Sequence, residues 1–141
     1  MQIIFEKNNN FSDDLANQIE RACADLIYIS ETDAPVTSFV GGPAANVNVE
    51  TILAQTNLPT NSPVEEIDAR AFFSRLTKIE RWHTDADRER TKKFLELQTL
   101  LEEYLGDLKV FKIGRIRIDI YIVGIDQHGH LLGIKTQAVE T

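Results

Sequence analysis

The sequence contains one cysteine, one tryptophan and four prolines in 141 residues. A single thiol, Cys23, excludes an internal disulfide framework and any zinc site built from several cysteines. No apolar run approaches the roughly 20 residues that a membrane-spanning helix needs. The opening stretch MQIIFEKNNN lacks a basic region, a long apolar centre and a small-residue cleavage site, so it does not read as a signal peptide. The cytoplasm is the expected compartment. Positive charge is also scarce: 15 Lys and Arg stand against 22 Asp and Glu, a net charge of -7. Nucleic-acid binding draws most of its strength from Lys and Arg neutralising phosphates, and anionic membranes attract the same residues. Direct binding to either is disfavoured, whereas a partner with a basic cleft is attracted and steered. Catalytic signatures are missing too. There is no nucleophile elbow, no P-loop and no HExxH pair, and Gly41-Gly42-Pro43 lacks the lysine and helix of a phosphate cradle.

What is present suits one domain spanning residues 1–141: 43% hydrophobic and 26% charged residues, with no repeats and no linker. A first helix is predicted from Asp13 to Tyr28, with Ser12 as N-cap and Asp13 and Asp14 at the positive end of its dipole. Leu15, Ile19, Ala22, Cys23 and Leu26 give it one apolar stripe, and Cys23 reads as a small buried hydrophobe. Ser30 to Pro43 is a turn-rich connection, followed by a helix over about Asn46–Gln55 and a loop from Asn57 to Pro63. Val64 to Ile67 form a short strand, and Asp68 caps a short helix carrying Phe72 and Phe73. The longest helix starts after Thr84, with Asp85 and Asp87 in its first turn, carries Phe94, Leu97, Leu101 and Tyr104 inward, and stops at Gly106. Beyond it, Val110 to Ile113 and the alternation of Ile116, Ile118, Ile120 and Ile122 with Arg117, Asp119, Tyr121 and Val123 mark a strand, joined by the turn Asp126–Gly129 to a second over about Leu131–Val139. Helices packed on a mainly antiparallel sheet define an α+β fold.

Three groupings have both a chemical and a plain reading. His128 and His130, with Asp126 near, have the spacing to share a metal, yet a hairpin turn is polar anyway. His83 with Asp85 and Asp87 forms an acid/base cluster or merely a helix start. Trp82, in a polar stretch before that start, is an exposed interface anchor or a cap on the core edge. Glu140 and Thr141 extend past the last strand. They make either a frayed end or a short tail with two carboxylates, ligands that suit a hard cation such as Mg²⁺.

Three blocks carry a resemblance: LIYISETDAP (Leu26–Pro35), IDARAFFSRLTKIERW (Ile67–Trp82) and KIGRIRIDIYIVGIDQHGHLLGIKTQAVET (Lys112–Thr141). Together, in order, they resemble the nuclease A inhibitor family, whose members block sugar-non-specific, metal-dependent ββα-type nucleases. The resemblance implies a three-layer α-β-α sandwich of the pathogenesis-related-1 type. It implies a non-enzymatic 1:1 inhibitor with no cofactor of its own. It also places Glu31, Trp82 and Thr141, with Glu140 beside it, at the partner's active site. Glu31 would occupy a basic phosphate subsite, Trp82 would be the desolvated anchor, and Thr141 would face the partner's Mg²⁺ through a terminal carboxylate or its hydroxyl. Arg81 departs from the family's pattern, which tends to an acidic residue before the tryptophan, and the Ser30–Asn48 loop matches poorly. An alternative is therefore a non-inhibitory α-β-α domain that binds another basic partner.

Overall fold

Asp68 and Thr84, the caps marked in the sequence, sit at helix starts, and Asn48, expected inside its helix, caps a third. Asn48, Asp68 and Thr84 each accept a hydrogen bond from a backbone N–H three residues on, at 2.9, 3.0 and 3.1 Å. Asp87 returns the bond to the Thr84 N–H, closing a capping box. The computed structural model describes residues 11–141, with side chains from residue 14 onward. The MQIIFEKNNN stretch lies outside what is described, as do the side chains of Ser12 and Asp13; the first helix already includes Ser12, its expected cap, and Asp13. Within these bounds the chain runs α1 (Phe11–Cys23), β1 (Ile27–Ile29), β2 (Asp33–Pro35), β3 (Thr37–Pro43), α2 (Val49–Thr56), β4 (Val64–Asp68), α3 (Ala69–Leu76), α4 (Asp85–Tyr104), β5 (Gly106–Gly114), β6 (Arg117–Ile125) and β7 (His130–Val139). Five strands form one antiparallel sheet in the order β3-β7-β6-β5-β4, and β1 pairs with β2 in a separate hairpin. The fold is α+β.

Alternation along the central strands sorts the core onto two faces. Ile118, Ile120 and Ile122 of β6 join Ile19, Phe73, Leu97 and Leu101 from α1, α3 and α4. Their neighbours Tyr121 and Val123 turn the other way, to Ile52 and Leu53 of α2 and Phe111 of β5. A one-residue slip in β6 would exchange these two sets, so both clusters fix the register. Each fully buried large side chain contributes about 1.5–3 kcal/mol. The β6–β7 pair is especially close at Gly133, where a Cβ would collide with the Ile122 carbonyl oxygen.

Several expectations change. α1 ends at Cys23, not Tyr28, because Asp25 adopts a left-handed φ of 60° and turns the chain, leaving Leu26 buried outside the helix and Ile27–Ile29 free to pair as β1. Ser30–Pro43 is not merely turns; it holds β2 and β3. Among the described residues β3 is an edge strand that pairs with β7 alone, so Pro43 at its end breaks no second ladder there. The isoleucine-rich run is two strands, broken where Gly114 takes φ 120° and lets β6 fold back on β5. α2 starts at Val49, after its Asn48 cap, and α4 ends at Tyr104, with Gly106 opening β5.

Candidate functional site

The β1–β2 register pairs Ile29 with Asp33, which leaves Ser30, Glu31 and Thr32 as the hairpin tip. The Ser30 hydroxyl donates to the Thr32 carbonyl at 3.1 Å and accepts the Val139 N–H at 3.0 Å. The Glu31 N–H donates to the Val139 carbonyl at 3.3 Å. The tip is thereby fastened to the end of β7. From it the Glu31 carboxylate reaches Thr141: Oε2 accepts the Thr141 N–H at 2.6 Å and Oε1 accepts its hydroxyl at 2.7 Å. Two bonds to the ionised form hold the Glu31 carboxyl below the usual carboxylate range, the hydroxyl contributing most.

Glu140, the intervening residue, turns to the sheet. Its N–H donates to the Ile116 carbonyl at 3.0 Å, and its Oε2 accepts Lys112 Nζ at 2.6 Å. Beside this ion pair lies a cavity of about 120 Å³ lined by Tyr28, Ile67, Phe72, Arg75, Lys112 and Glu140. Tyr28 stacks on Phe72 at 5.9 Å, and burial pushes its phenol above the ordinary range, opposed by Lys112.

Trp82 is 76% exposed, which decides its case against capping the core edge. It stands in the turn before α4, its ring edge-to-face with His83 at 4.5 Å. The open groove at its foot is lined by Ile29, Arg75, Trp82, His83, Asp87 and Arg90 among others. Ile29 is two residues before Glu31, and Arg75 lines both this groove and the Glu140 cavity. Glu31, Trp82, Glu140 and Thr141 therefore share one end of the molecule, with Ser30, Ile29, Arg75 and Lys112 between them. Sequence reasoning singled out none of those four. Lys112 is 28 positions from Glu140, and the clue available was parity: it alternates with the buried Phe111 and Ile113, on the side facing Val110.

The family described as Nuclease A inhibitor-like protein matches residues 13–141, a span containing all four of these positions. The chain belongs to that family. No curated protein matches it.

The remaining groupings in this nuclease A inhibitor-like chain have structural work of their own. Asp126 is buried, and its Oδ1 accepts the N–H groups of His128 and His130 at 2.9 and 3.0 Å, tying the β6–β7 turn. Among the described residues no three His, Cys, Asp or Glu are placed to hold a metal ion. His83 Nδ1 accepts the Glu80 N–H at 3.0 Å, and Asp87 binds Thr84 and Arg90. The bond from the Thr84 N–H is the chief reason that the Asp87 carboxyl lies below its usual range. These are the contacts of a helix start. Cys23 is buried in the core, where burial, with Glu20 adding to it, pushes its thiol up to about 12, so it carries no thiolate at neutral pH. Among the described residues no helix is long and apolar enough to cross a membrane.

Proposed function

We propose that this chain, acting as one unit in the cytoplasm, inhibits a sugar-non-specific, Mg²⁺-dependent nuclease of the ββα type by covering its active site in a 1:1 complex. The observation that carries the reading is the grip of Thr141 on Glu31 beside an exposed Trp82. Glu31 enters the basic subsite that ordinarily holds a substrate phosphate, as a carboxylate already aimed and still ionised. Thr141 faces the partner's metal through its hydroxyl or a terminal carboxylate, and Glu140, ion-paired with Lys112, backs it at the same end. Trp82 provides the large, rigid surface that excludes water from the contact. The net charge of -7 draws the chain to a cleft built to bind nucleic acid. The chain contributes occupancy and no catalysis, and it needs no cofactor of its own.

A second reading, a protein-binding domain that no longer inhibits and takes another basic partner, draws on Arg81, which is exposed beside Trp82. One titration separates the two. Increasing amounts of the chain are added to a panel of ββα-type nucleases, and activity is followed to the equivalence point. Loss of activity at one inhibitor per enzyme supports inhibition. Full activity across the panel, with a non-nuclease partner recovered from the source cell, supports the second reading.

A further inference from the structure

We propose that Lys112 is a positioning residue of this docking end: its ion pair with Glu140 holds the segment after β7 so that Thr141 stays on Glu31. The consequence for inhibition rests on the function proposed above; the geometry does not. β7 ends at Val139, and residues past the last ladder bond ordinarily fray. Here the next two residues have three fastenings: Glu140 N–H to Ile116, Glu140 carboxylate to Lys112, and Thr141 to Glu31. The first is a single peripheral backbone bond. The third joins two exposed groups that water competes for. The middle one is different, because the Lys112 side chain is only 15% exposed.

The position of Lys112 explains why it takes Glu140. On β5 it stands across from Ile120, on the face that carries Val110 and the helices α1, α3 and α4. Its stem is covered there, and its ammonium emerges at the cavity lined by Tyr28, Phe72 and Arg75. A cation so placed needs a carboxylate at the rim, and among the described residues Glu140 is the one that forms an ion pair with it. Glu140 points to Lys112 because it shares the face of Ala138, two residues earlier on β7. Thr141, the next residue, is turned away from that face, towards the hairpin tip. Satisfying the lysine thus sets the direction in which Thr141 leaves the sheet.

The test compares the full chain with Lys112→Met, which keeps the covered stem, Lys112→Arg, which keeps the charge, and Glu140→Gln, which breaks the pair from the other side. Backbone ¹H–¹⁵N heteronuclear NOE values at residues 140 and 141 are read in the free protein, with β6 and β7 resonances as the control for folding. The proposal expects rigid values in the parent, a drop at both residues in Lys112→Met and Glu140→Gln, and recovery in Lys112→Arg. It also expects the two uncharged variants to inhibit a cognate nuclease about tenfold more weakly. Unchanged order at Thr141 in both uncharged variants overturns the proposal, as does parental inhibition by both. A parent that inhibits no nuclease overturns the functional reading instead, and the NOE comparison then decides the role of Lys112.

Discussion

Glu31 and Thr141 lie 110 positions apart in the chain and are joined by two hydrogen bonds, one from the threonine N–H and one from its hydroxyl. Each carboxylate oxygen receives one bond, so the plane of the carboxylate is fixed and not only its position. That arrangement exists before any partner arrives. A side chain that would otherwise sample several rotamers at a hairpin tip is ordered in the free protein, which lowers the entropy lost on docking.

Removing either member of the pair should weaken inhibition strongly. Glu31→Gln keeps the shape and removes the charge; deletion of Thr141 keeps the charge and removes its orientation. Both are expected to reduce affinity for a cognate nuclease by about 2 kcal/mol or more, the scale of an interface hot spot. The double variant should lose less than the sum, because the two residues act as one unit. Inhibition constants for the parent, the two single variants and the double variant supply the cycle. Strict additivity would mean that the pair seen in the free protein plays no part in the complex.

The same pair predicts a dependence on pH. The Glu31 carboxyl is held below its ordinary value, chiefly by the Thr141 hydroxyl. A carboxyl lowered on folding contributes stability above its unfolded value, and that contribution is lost as pH falls through the folded value. Inhibition should therefore be flat around neutrality and weaken in acid. A carbon-detected NMR titration should place the Glu31 midpoint below the ordinary glutamate value, and deleting Thr141 should move it up. A midpoint unmoved by the deletion would show that the hydrogen bonds do not persist in solution.

Local chemistry made much of the fold legible. The caps Asp68 and Thr84, the stripe Phe94-Leu97-Leu101 and the β6–β7 hairpin each depend on residues within a few positions of one another. What escaped was pairing at long range. β3 exists because β7 offers it an edge, and the bond from the Thr136 hydroxyl to the Pro35 carbonyl spans 101 positions. With two glycines and a proline in its second half, that segment has turn composition and takes strand form only through its neighbour. The site divides likewise. Trp82 was suspect from its polar surroundings, whereas nothing near Glu31 points to Thr141, and their association followed only from resemblance to a family. Lys112, a lysine alternating with buried residues, had the weakest signal of all.

A glycine on β7 tests the central pairing. A Cβ on Gly133 would meet the Ile122 carbonyl and the Val123 Cα, both backbone atoms that cannot rotate away. Gly133→Ala must push β6 and β7 apart, and it should lower stability by about 1–3 kcal/mol, the usual range for overpacking. At Gly129 there is open space, so Gly129→Ala meets only the strain of its positive φ of 78° and should cost about 1–2 kcal/mol. Urea denaturation of the two variants against the parent reads the difference. A Gly129→Ala variant less stable than Gly133→Ala would contradict the close β6–β7 approach.

Trp82 offers the cleanest separation of binding from folding. At 76% exposure it contributes little to the core, so Trp82→Ala should leave the unfolding midpoint within about 0.5 kcal/mol of the parent, as surface substitutions do. As the anchor of a desolvated contact it should nonetheless cost about 2 kcal/mol or more in affinity. The residue also reports on itself, being the one tryptophan in the chain. Its emission in the free protein should be that of a solvated indole, and should shift to shorter wavelength in complex with a tryptophan-free variant of the nuclease. Arg81→Glu, which replaces a positive charge beside the tryptophan with a negative one, should tighten binding to a basic cleft without altering the free protein's emission. If complex formation leaves the emission unmoved, Trp82 lies outside the interface, and the contact must be built around the Glu31 tip alone.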